Sequence, residues 1–353
     1  MSSTLLIDLK KLDHNLNAVN AQLEKNVLRM AVIKDNAYGH GLLPIANRLK
    51  EKVEWFCVAR VDEGVKLREA GIKIPILVFE IPPAGKEELY LSHNLTASIP
   101  DLAVFECLKE GTDCHLKFDT GMGRLGIMPA DAEQALEKMK QNSHLNYTGI
   151  YTHFANADSV NHPHVFEQLK VFKAIRSTFP ENLMTHTANS GAIFYYKEAG
   201  LQFDAVRPGV CLFGYAPGQV EVPQLQSIAE WKTHLVQVKK IHKGDVAGYG
   251  SRWEAPKSGM LGLIPVGYAH GVSRNLSGKF EVGIGNKFFP QVGTISMDYS
   301  AVFLDDTYFE AGEEVTLLRS GDLSVRSWAH TLGTIPYEVI TGISIEVKRE
   351  YLD

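Results

Sequence analysis

The chain has 353 residues, of which 45% are hydrophobic and 22% are charged. This composition is typical of a soluble globular protein, and the length allows two domains. The net charge of −5 provides no basic surface for a phosphate backbone, so we expect no nucleic-acid partner. No apolar run approaches the roughly 20 residues of a membrane helix, and residues 1–4 lack the basic start of a secretion signal. We therefore expect a cytoplasmic protein that does not bind a membrane.

Eight short apolar segments alternate with helical segments between about residue 28 and residue 210. They lie near residues 28–34, 55–59, 75–79, 94–98, 115–119, 147–153, 183–187 and 203–206. Segments between them, such as Val61–Ala70, Ala132–Lys140 and His164–Ser177, carry apolar residues at helical spacing. Because strand–helix–strand crossovers are right-handed, eight such units predict an α/β fold, a (β/α)8 TIM-type barrel.

After about Pro217 the sequence alternates apolar and polar residues, which is typical of strands. Such segments lie at residues 235–238, 262–266, 280–284 and 313–318, and a short helix is expected near residues 324–332. The sequence thus predicts a mostly β C-terminal domain, with which the opening strand at residues 5–9 could pair. We place the barrel at residues 8–222 and the β domain at residues 223–353, together with strand 1–7.

The four cysteines are scattered through the sequence and form no CxxC pair. They are Cys57, Cys107, Cys114 and Cys211. Their neighbours are mostly apolar, which predicts reduced packing residues rather than disulfides or zinc ligands.

The most informative segment is AVIKDNAYGHG at residues 31–41, because it places Lys34 at the end of an apolar run. Its ammonium group would leave water at a strand tip, where desolvation lowers the pKa and frees the amine as a nucleophile. Such a lysine can form a Schiff base. Asn36 and Gly39 favour a tight turn, and Gly41 allows a helix to start near Leu42. A surface lysine that merely ends a strand is the alternative interpretation.

Polar residues also follow four other predicted strands of the barrel. They lie in Asp119–Arg124, at His153, in His186–Ser190 and in Arg207–Gly209. Barrel enzymes collect their catalytic groups at this rim, so the coincidence of these positions with Lys34 predicts an active site.

A phosphate pocket is predicted where the seventh and eighth strands end. Backbone N–H groups of Gly209 and Val210 lie there with Asn189 and the hydroxyl of Ser190. A reactive lysine beside a phosphate pocket indicates pyridoxal phosphate as the cofactor.

These segments resemble motifs of the alanine racemases, the barrel-type, fold type III pyridoxal-phosphate enzymes of the bacterial cell-wall pathway. The matching segments are residues 31–41, 119–126 and 206–209, and Asp35 departs from the usual alanine or serine. The resemblance implies that Lys34 binds the cofactor and that the protein interconverts L- and D-alanine, supplying D-alanine for peptidoglycan. It also implies that the first strand belongs to the C-terminal domain.

Arg207 decides among the reactions of such a cofactor. In the related barrel decarboxylases a carboxylate protonates the pyridine nitrogen, whereas an arginine stays charged and leaves that nitrogen unprotonated. The weaker electron withdrawal favours simple return of a proton to the substrate over loss of CO2. An arginine that only ties down the barrel rim is the alternative.

The segment 246–253 resembles the part of alanine racemases that carries the second catalytic base, and Tyr249 occupies the tyrosine position. Racemisation requires a proton acceptor and a donor on opposite faces of one carbon. The resemblance implies that Lys34 and Tyr249 are these two bases. It also implies a homodimer with shared active sites, in which the partner chain supplies the tyrosine.

The resemblance assigns roles to further residues. Arg124 would contact the cofactor's phenolic oxygen and the substrate carboxylate, supported by Lys117, which is carbamylated in some members. His153 would link Tyr249 to Arg207, and His186 would support Arg207. The residues implied to hold phosphate are Tyr38, Ser190, Gly209, Val210 and Tyr337. Met297 and Asp298 match a segment that meets the substrate carboxylate, and Tyr268 matches an entrance residue.

Two departures from the family pattern concern the substrate corridor. Thr294 stands where many members have arginine, and His270 replaces the usual aspartate. Serine or a broader range of amino acids therefore remains an alternative substrate class.

Other classes of protein are less well supported by the sequence. A metal-dependent hydrolase would use His153 and His186 with His162, His164 and Asp158, but their spacing matches no recognised metal site, so we expect no metal. A cofactor carrier without activity would need only the barrel. A decarboxylase is opposed by Arg207.

Overall fold

The computed structural model describes residues 3–197 and 200–353, which divide into two compact units. One unit, the barrel unit, contains residues 12–37 and 41–225. The other, the β unit, contains the chain up to Lys11, the short segment Tyr38–His40 and Gln226–Asp353. The chain begins with strand β1 (Ser3–Asp8) and helix α1 (Leu9–Asn20).

Eight parallel strands form a closed barrel in the barrel unit, which confirms the predicted fold class. In chain order they are β2 (Leu28–Val32), β3 (Trp55–Val58), β4 (Ile76–Val78), β5 (Thr96–Ile99), β6 (Asp113–Lys117), β7 (Asn146–Tyr151), β8 (Met184–Asn189) and β9 (Ala205–Arg207). The barrel closes where Leu28 of β2 pairs with Ala205 of β9. Each strand overlaps one of the eight predicted segments.

Helical segments connect the barrel strands. They are the single turn α2 (Lys34–Tyr38), α3 (Leu42–Leu49), α4 (Val61–Glu69), α5 (Glu87–Ser92), α6 (Ala132–Gln141), α7 (Pro163–Arg176) and α8 (Ser190–Tyr195), with 3-10 helices at Leu102–Glu106, Pro129–Asp131 and Val210–Phe213. Phe56, Cys57 and Val58 of β3 are all fully buried. This is the pattern of parallel strands that are covered on both faces, and it explains their continuous apolar runs.

The β unit is built on a nine-stranded sheet, as the alternating sequence predicts. Its strands are β1, β10 (Ala229–His234), β11 (Gln237–Ile241), β14 (Gly259–Ile264), β15 (Glu281–Ile284), β16 (Lys287–Val292), β17 (Ser300–Asp305), β18 (Glu314–Leu318) and β19 (Lys348–Leu352). A separate pair consists of β12 (Val246–Ala247) and β13 (Trp253–Glu254). β1 lies between β10 and β19 in the sheet.

Helices and short 3-10 turns complete the β unit. They are α9 (Val325–Leu332), α10 (Pro336–Thr341) and 3-10 turns at Tyr249–Ser251, Tyr268–His270 and Arg274–Leu276. The Ser324 side chain accepts a hydrogen bond from the backbone of Ser327 and so caps α9, at the place where the sequence predicts a helix start.

The predicted strand at residues 235–238 is present but begins two residues later, as β11 at Gln237. The Leu235 N–H donates to Glu313 and the Val236 N–H donates to Leu263, so these two residues bond to different neighbours. The chain therefore changes strand partners at this point, and β10 ends just before the position where β11 begins. Apolar alternation indicates which residues face the core but not which neighbouring strand each residue bonds to, so it cannot reveal this change.

Two further expectations concern helices and thiols. No described helix is long and apolar enough to cross a membrane.

All four cysteines are free; Cys57, Cys114 and Cys211 are buried, which confirms them as packing residues, whereas Cys107 is exposed.

Candidate active site

Lys34 begins a turn whose backbone is left-handed. Asp35, Asn36 and Ala37 have φ of 52°, 56° and 53°, with ψ of 55°, 43° and 53°. Tyr38 has φ of 52°. Left-handed backbone costs a residue with a side chain about 1–2 kcal/mol and is adopted in single residues far more often than in runs. The tight turn expected from the sequence is present, but it carries strain of the kind that is concentrated at functional sites.

The side chain of Lys34 is half-buried, with 35% of its surface exposed. Its Nζ lies 4.0 Å from Oδ2 of Asp35, an exposed pair of the kind that contributes little to stability. The desolvation expected from the sequence is therefore only partial.

A carboxylate organises the loop that carries Arg124. Oδ1 of Asp119 accepts backbone N–H bonds from Gly121, Met122 and Gly123, and its Oδ2 accepts one from Arg124 at 2.8 Å. Burial alone would raise the pKa of the Asp119 carboxyl, but these four donors hold that pKa below its usual value. The loop is thus fixed by an ionised carboxylate, while Arg124 itself is exposed.

Lys117 is a buried lysine, with 6% of its surface exposed. Burial, followed by the positive charges of Arg124 and Arg207, lowers the pKa of its ammonium group to about 8. Its Nζ lies 5.6 Å from the ring centre of Tyr151. A substantial fraction of this amine is therefore neutral slightly above physiological pH.

Arg207, at the end of β9, is buried and almost fully hydrogen-bonded. Its Nη1 donates to Nδ1 of His186 at 2.6 Å and to the His186 carbonyl at 2.7 Å. Its Nη2 donates to the carbonyls of Thr152 and Thr187, and also lies 3.5 Å from Nδ1 of His153. Burial lowers the pKa of the guanidinium to about 10, so the group remains charged at neutral pH. Within the described residues, the Nε–H alone has no protein acceptor.

The histidines near Arg207 are neutral. Burial, and then the charge of Arg207, holds the pKa of both His153 and His186 well below the usual value. Because Nδ1 of His186 accepts from Arg207, its proton resides on Nε2, which then donates to Nδ1 of His115 at 2.9 Å. Burial likewise lowers the pKa of His115 to about 3.

His115 and Tyr151 belong to the site but were not predicted from the sequence. Tyr151 stacks on His186 with ring centres 4.6 Å apart, and the guanidinium carbon of Arg207 lies 5.2 Å from its ring centre. Both residues precede a predicted site residue by two positions: His115 and Lys117 share β6, and Tyr151 ends β7 two positions before His153. Since alternate residues of a strand point to the same face, this spacing is the signal that could have found them.

Four of the predicted phosphate residues, Asn189, Ser190, Gly209 and Val210, lie at the ends of β8 and β9. The Gly209 N–H donates to Oγ of Ser190 at 2.9 Å. Asn189 caps α8 by accepting from the Ala192 N–H, and its amide lies 3.5 Å from Nε2 of His153. Val210 follows directly and opens a 3-10 helix. These residues form one polar cluster beside Arg207.

Tyr249 is highly exposed to solvent, with 71% of its surface accessible. Its carbonyl accepts a hydrogen bond from Oγ1 of Thr294 at 2.8 Å. Gly248, with φ of 75°, makes a β-bridge to Thr294, and a Cβ at this position would lie 2.7 Å from the Thr294 nitrogen. The turn that carries the tyrosine is therefore fixed to Thr294, one of the two residues that depart from the family pattern.

The other predicted residues of the β unit form two groups. The Tyr268 N–H donates to the Ser296 carbonyl, which places Tyr268 beside the exposed pair Met297 and Asp298. The rings of Tyr38 and Tyr337 have centres 6.2 Å apart.

The residues of the alternative metal site do not converge. Within residues 3–197 and 200–353, no group of three or more His, Cys, Asp or Glu side chains lies close enough to hold a metal ion. His162 instead accepts a bond from the His164 backbone at the start of α7, and His164 lies 2.9 Å from the Gly121 carbonyl. The hydrolase alternative therefore has no ligand set among the described residues.

A closed barrel with a strand-end lysine, a buried lysine of lowered pKa and a locked arginine defines a barrel enzyme with a cationic active-site rim. Residues 7–217 match the family model described as "Alanine racemase, N-terminal domain", and residues 228–351 match "Alanine racemase, C-terminal domain". The chain belongs to the alanine racemase family.

Known proteins resemble this chain over its whole length. An alanine racemase of Carboxydothermus hydrogenoformans is 36% identical, covering 98% of each chain, and one of Halothermothrix orenii is 35% identical, covering 98% of this chain and 95% of its own. Among solved structures, an alanine racemase of Clostridium difficile superposes with a TM-score of 0.93 at 31% identity, covering 100% of this chain and 96% of its own. That of Bartonella henselae, with covalently bound pyridoxal phosphate, gives 0.91 at 26%, covering 100% of both.

Proposed function

We propose that the protein interconverts L- and D-alanine with pyridoxal phosphate bound at the barrel rim. The observation that carries this proposal is the hydrogen bonding of Arg207. Three carbonyls and His186 occupy its terminal N–H groups, and the Nε–H remains for a ligand acceptor. A charged donor fixed in this way suits an unprotonated ring nitrogen.

The residues present fit the cofactor. Lys34 would bind its aldehyde carbon, the Nε–H of Arg207 would donate to its ring nitrogen, and Arg124 would contact its phenolic oxygen. The phosphate would be held by Tyr38, Asn189, Ser190, Gly209, Val210 and Tyr337. When bound, the group withdraws electrons from the substrate Cα and so weakens the Cα–H bond.

Electrostatics at the rim also supports an anionic cofactor and substrate. The charges of Arg207, Arg124, Lys117 and Lys34 all act on His153 and lower its pKa after burial itself. A cluster of cations in a partly dry cleft attracts phosphate and carboxylate groups. Arg124 and Met297 would meet the substrate carboxylate, with Lys117 supporting Arg124. The lowered pKa of Lys117 supports a neutral amine of the kind that carbamylation requires.

Two bases, one on each face of the substrate Cα, would account for reaction in both directions. Nζ of Lys34 would remove or return the proton of the D-isomer, and Oη of Tyr249 would do so for the L-isomer on the opposite face. Because Arg207 stays charged and keeps its own proton, electron withdrawal from Cα stays moderate. That favours return of a proton to the same carbon over loss of CO2.

The active site is proposed to be shared between two chains of a homodimer. The barrel domain, residues 8–222, would provide Lys34, and the partner's β domain, residues 223–353 with strand 1–7, would provide Tyr249. The large exposure of Tyr249 supports this arrangement, since exposed aromatic residues are typical of surfaces that a partner covers. His153 would then link Tyr249 to Arg207, and Tyr268 and Asp298 would line the entrance.

In the cell the proposed product is D-alanine for peptidoglycan, made in the cytoplasm. Serine or a broader set of amino acids is the second candidate substrate class. Thr294 and His270 favour it, because their side chains are smaller or less acidic than the arginine and aspartate usual in the family.

Incubation of the pure protein with single L-amino acids in deuterated water tests the proposal. We expect L-alanine to give D-alanine that carries deuterium at Cα. The kcat/KM for L-alanine should be higher than that for L-serine. A Lys34→Ala variant is the matched control and should form neither D-alanine nor D-serine. A higher kcat/KM for serine would establish the second candidate, and no exchange with any amino acid would disprove racemase activity.

A further inference from the structure

The left-handed turn after Lys34 is closed by a bond from the Ala37 N–H to the Ile33 carbonyl at 2.9 Å and by two bonds that Asn36 accepts. Its Oδ1 accepts from the Leu42 N–H at 2.8 Å, and its carbonyl accepts from the Gly41 N–H at 2.9 Å. These bonds tie the turn to the start of α3.

The backbone N–H of Asn36 bonds to a different part of the barrel. It donates to Oε1 of Glu63 at 3.1 Å. The other oxygen of this carboxylate accepts from the N–H groups of Ala59 and Arg60, at 3.0 and 3.4 Å. Glu63 lies in the first turn of α4, so its side chain joins the connection after β2 to the connection after β3.

We propose that Glu63 is a positioning residue for Lys34. In the left-handed geometry the Asn36 N–H points at the carboxylate, and bonds to an ionised acceptor are about twice as strong as neutral ones. Without this acceptor, Ala37 and Tyr38 would relax toward the right-handed region that L-residues prefer, and the backbone at Lys34 would turn with them. Glu63 acts through Asn36 and does not touch the reacting atoms. The inference rests on the proposed role of Lys34 as the cofactor-binding amine.

Hydrogen exchange of the holoenzyme, followed by mass spectrometry of peptides covering residues 34–42, tests the contact. Glu63→Asp keeps the charge but withdraws the carboxylate by about 1.5 Å, one carbon–carbon bond, so it can no longer span both connections. We expect amide exchange in the turn to become about 10- to 100-fold faster, as for the loss of a charge-assisted hydrogen bond.

Glu80→Ala is the matched control. Oε1 of Glu80 accepts from the Val61 N–H at 2.6 Å, so this variant weakens the start of the same helix without removing an acceptor of the turn. We expect it to leave exchange of residues 34–42 unchanged. A purely structural role of Glu63 in capping α4 would instead give both variants the same exchange in the turn.

A second measurement follows the amine itself. After removal and re-addition of pyridoxal phosphate, borohydride trapping and peptide mapping should show label on Lys34 in the wild type. In Glu63→Asp the label should form about tenfold more slowly, while Glu80→Ala stays at the wild-type rate. Should Glu63→Asp not fold, Glu63→Ala serves in its place.

Equal exchange of the turn in Glu63→Asp, Glu63→Ala and Glu80→Ala would overturn the inference. Wild-type protein that places no label on Lys34 would instead refute the proposed function, and the exchange data would still decide the role of Glu63. The two failures are therefore distinguishable.

Discussion

Nη1 of Arg207 lies 2.6 Å from Nδ1 of His186, and this contact sets the protonation of both groups. A guanidinium can only donate, so the imidazole must accept with Nδ1 and carry its proton on Nε2. Burial, and then the charge of Arg207, holds the pKa of His186 well below its usual value, which keeps the ring neutral. The result is an arginine that is charged, immobile and unable to transfer its proton.

Arg207→Glu should change the reaction that the protein performs. A carboxylic acid at this position would protonate the cofactor's ring nitrogen, so we expect a new absorbance band at long wavelength and more side transamination, measured as pyruvate. Loss of the buried donor should also cost about 3 kcal/mol or more in the free energy of unfolding, which thermal denaturation measures. Arg207→Lys keeps the charge and should lower activity without the new band. An unchanged spectrum and unchanged pyruvate yield in Arg207→Glu would contradict our account of this arginine.

Thr294→Val should loosen the turn that carries Tyr249, because it removes the hydroxyl bonded to the Tyr249 carbonyl and keeps the shape of the side chain. We expect kcat/KM to fall about three- to tenfold, equally in both directions since the equilibrium between enantiomers is fixed. The primary deuterium isotope effect should rise for L-alanine, because Tyr249 removes its proton, and should fall for D-alanine, because proton removal by Lys34 becomes less rate-limiting.

Two variants control this measurement. Thr294→Ser retains the hydroxyl and should behave like the wild type, and Thr316→Val removes a buried hydroxyl of β18 in the same unit. If the isotope effects for both enantiomers rose together in Thr294→Val, the bond would not act through Tyr249.

Lys117→Met should make the protein more stable at neutral pH. Folding lowers the pKa of Lys117 from 10.5 to about 8. At pH values where the amine is protonated, this shift lowers the free energy of unfolding by roughly 3 kcal/mol. Between these two pH values the unfolded chain binds more protons than the native protein, so wild-type stability rises with pH. We therefore expect the advantage of the variant, about 1–3 kcal/mol below pH 8, to shrink as pH rises toward 10.5.

Urea denaturation in buffer free of bicarbonate, which prevents carbamylation of the amine, provides this comparison. An advantage of Lys117→Met that did not vary with pH would show that the buried amine does not titrate in this range.

Mixed dimers should reveal the shared active site. Lys34→Ala and Tyr249→Ala should each be inactive, but chains refolded together should recover about a quarter of wild-type activity. Half of the randomly formed dimers are mixed, and each mixed dimer has one site with both bases. Mixed dimers that are identified by native mass spectrometry but remain inactive would place both bases in one chain.

Much of the fold could be predicted because the eight barrel strands are short, apolar and regularly separated by helical segments. Rim residues such as Lys34 and Arg207 could be found because they end those strands. The handedness of the turn after Lys34 could not, since Ala37 and Tyr38 have no local preference for positive φ. Glu63 also escaped prediction, because it looks like an ordinary acidic residue in the first turn of a helix.

Gly149 limits which substitutions this part of the site can accept. A Cβ at this position would lie 2.7 Å from the ring of His115, so any larger residue at 149 requires a smaller one at 115. Nδ1 of His115 accepts the hydrogen bond from Nε2–H of His186, which is the tautomer of His186 that the bond from Arg207 requires. A larger side chain at position 149 would thus affect Arg207 through two intervening side chains, His115 and His186. We therefore expect a larger residue at position 149 to be tolerated only with a smaller one at position 115, and libraries for engineering should vary the two positions together.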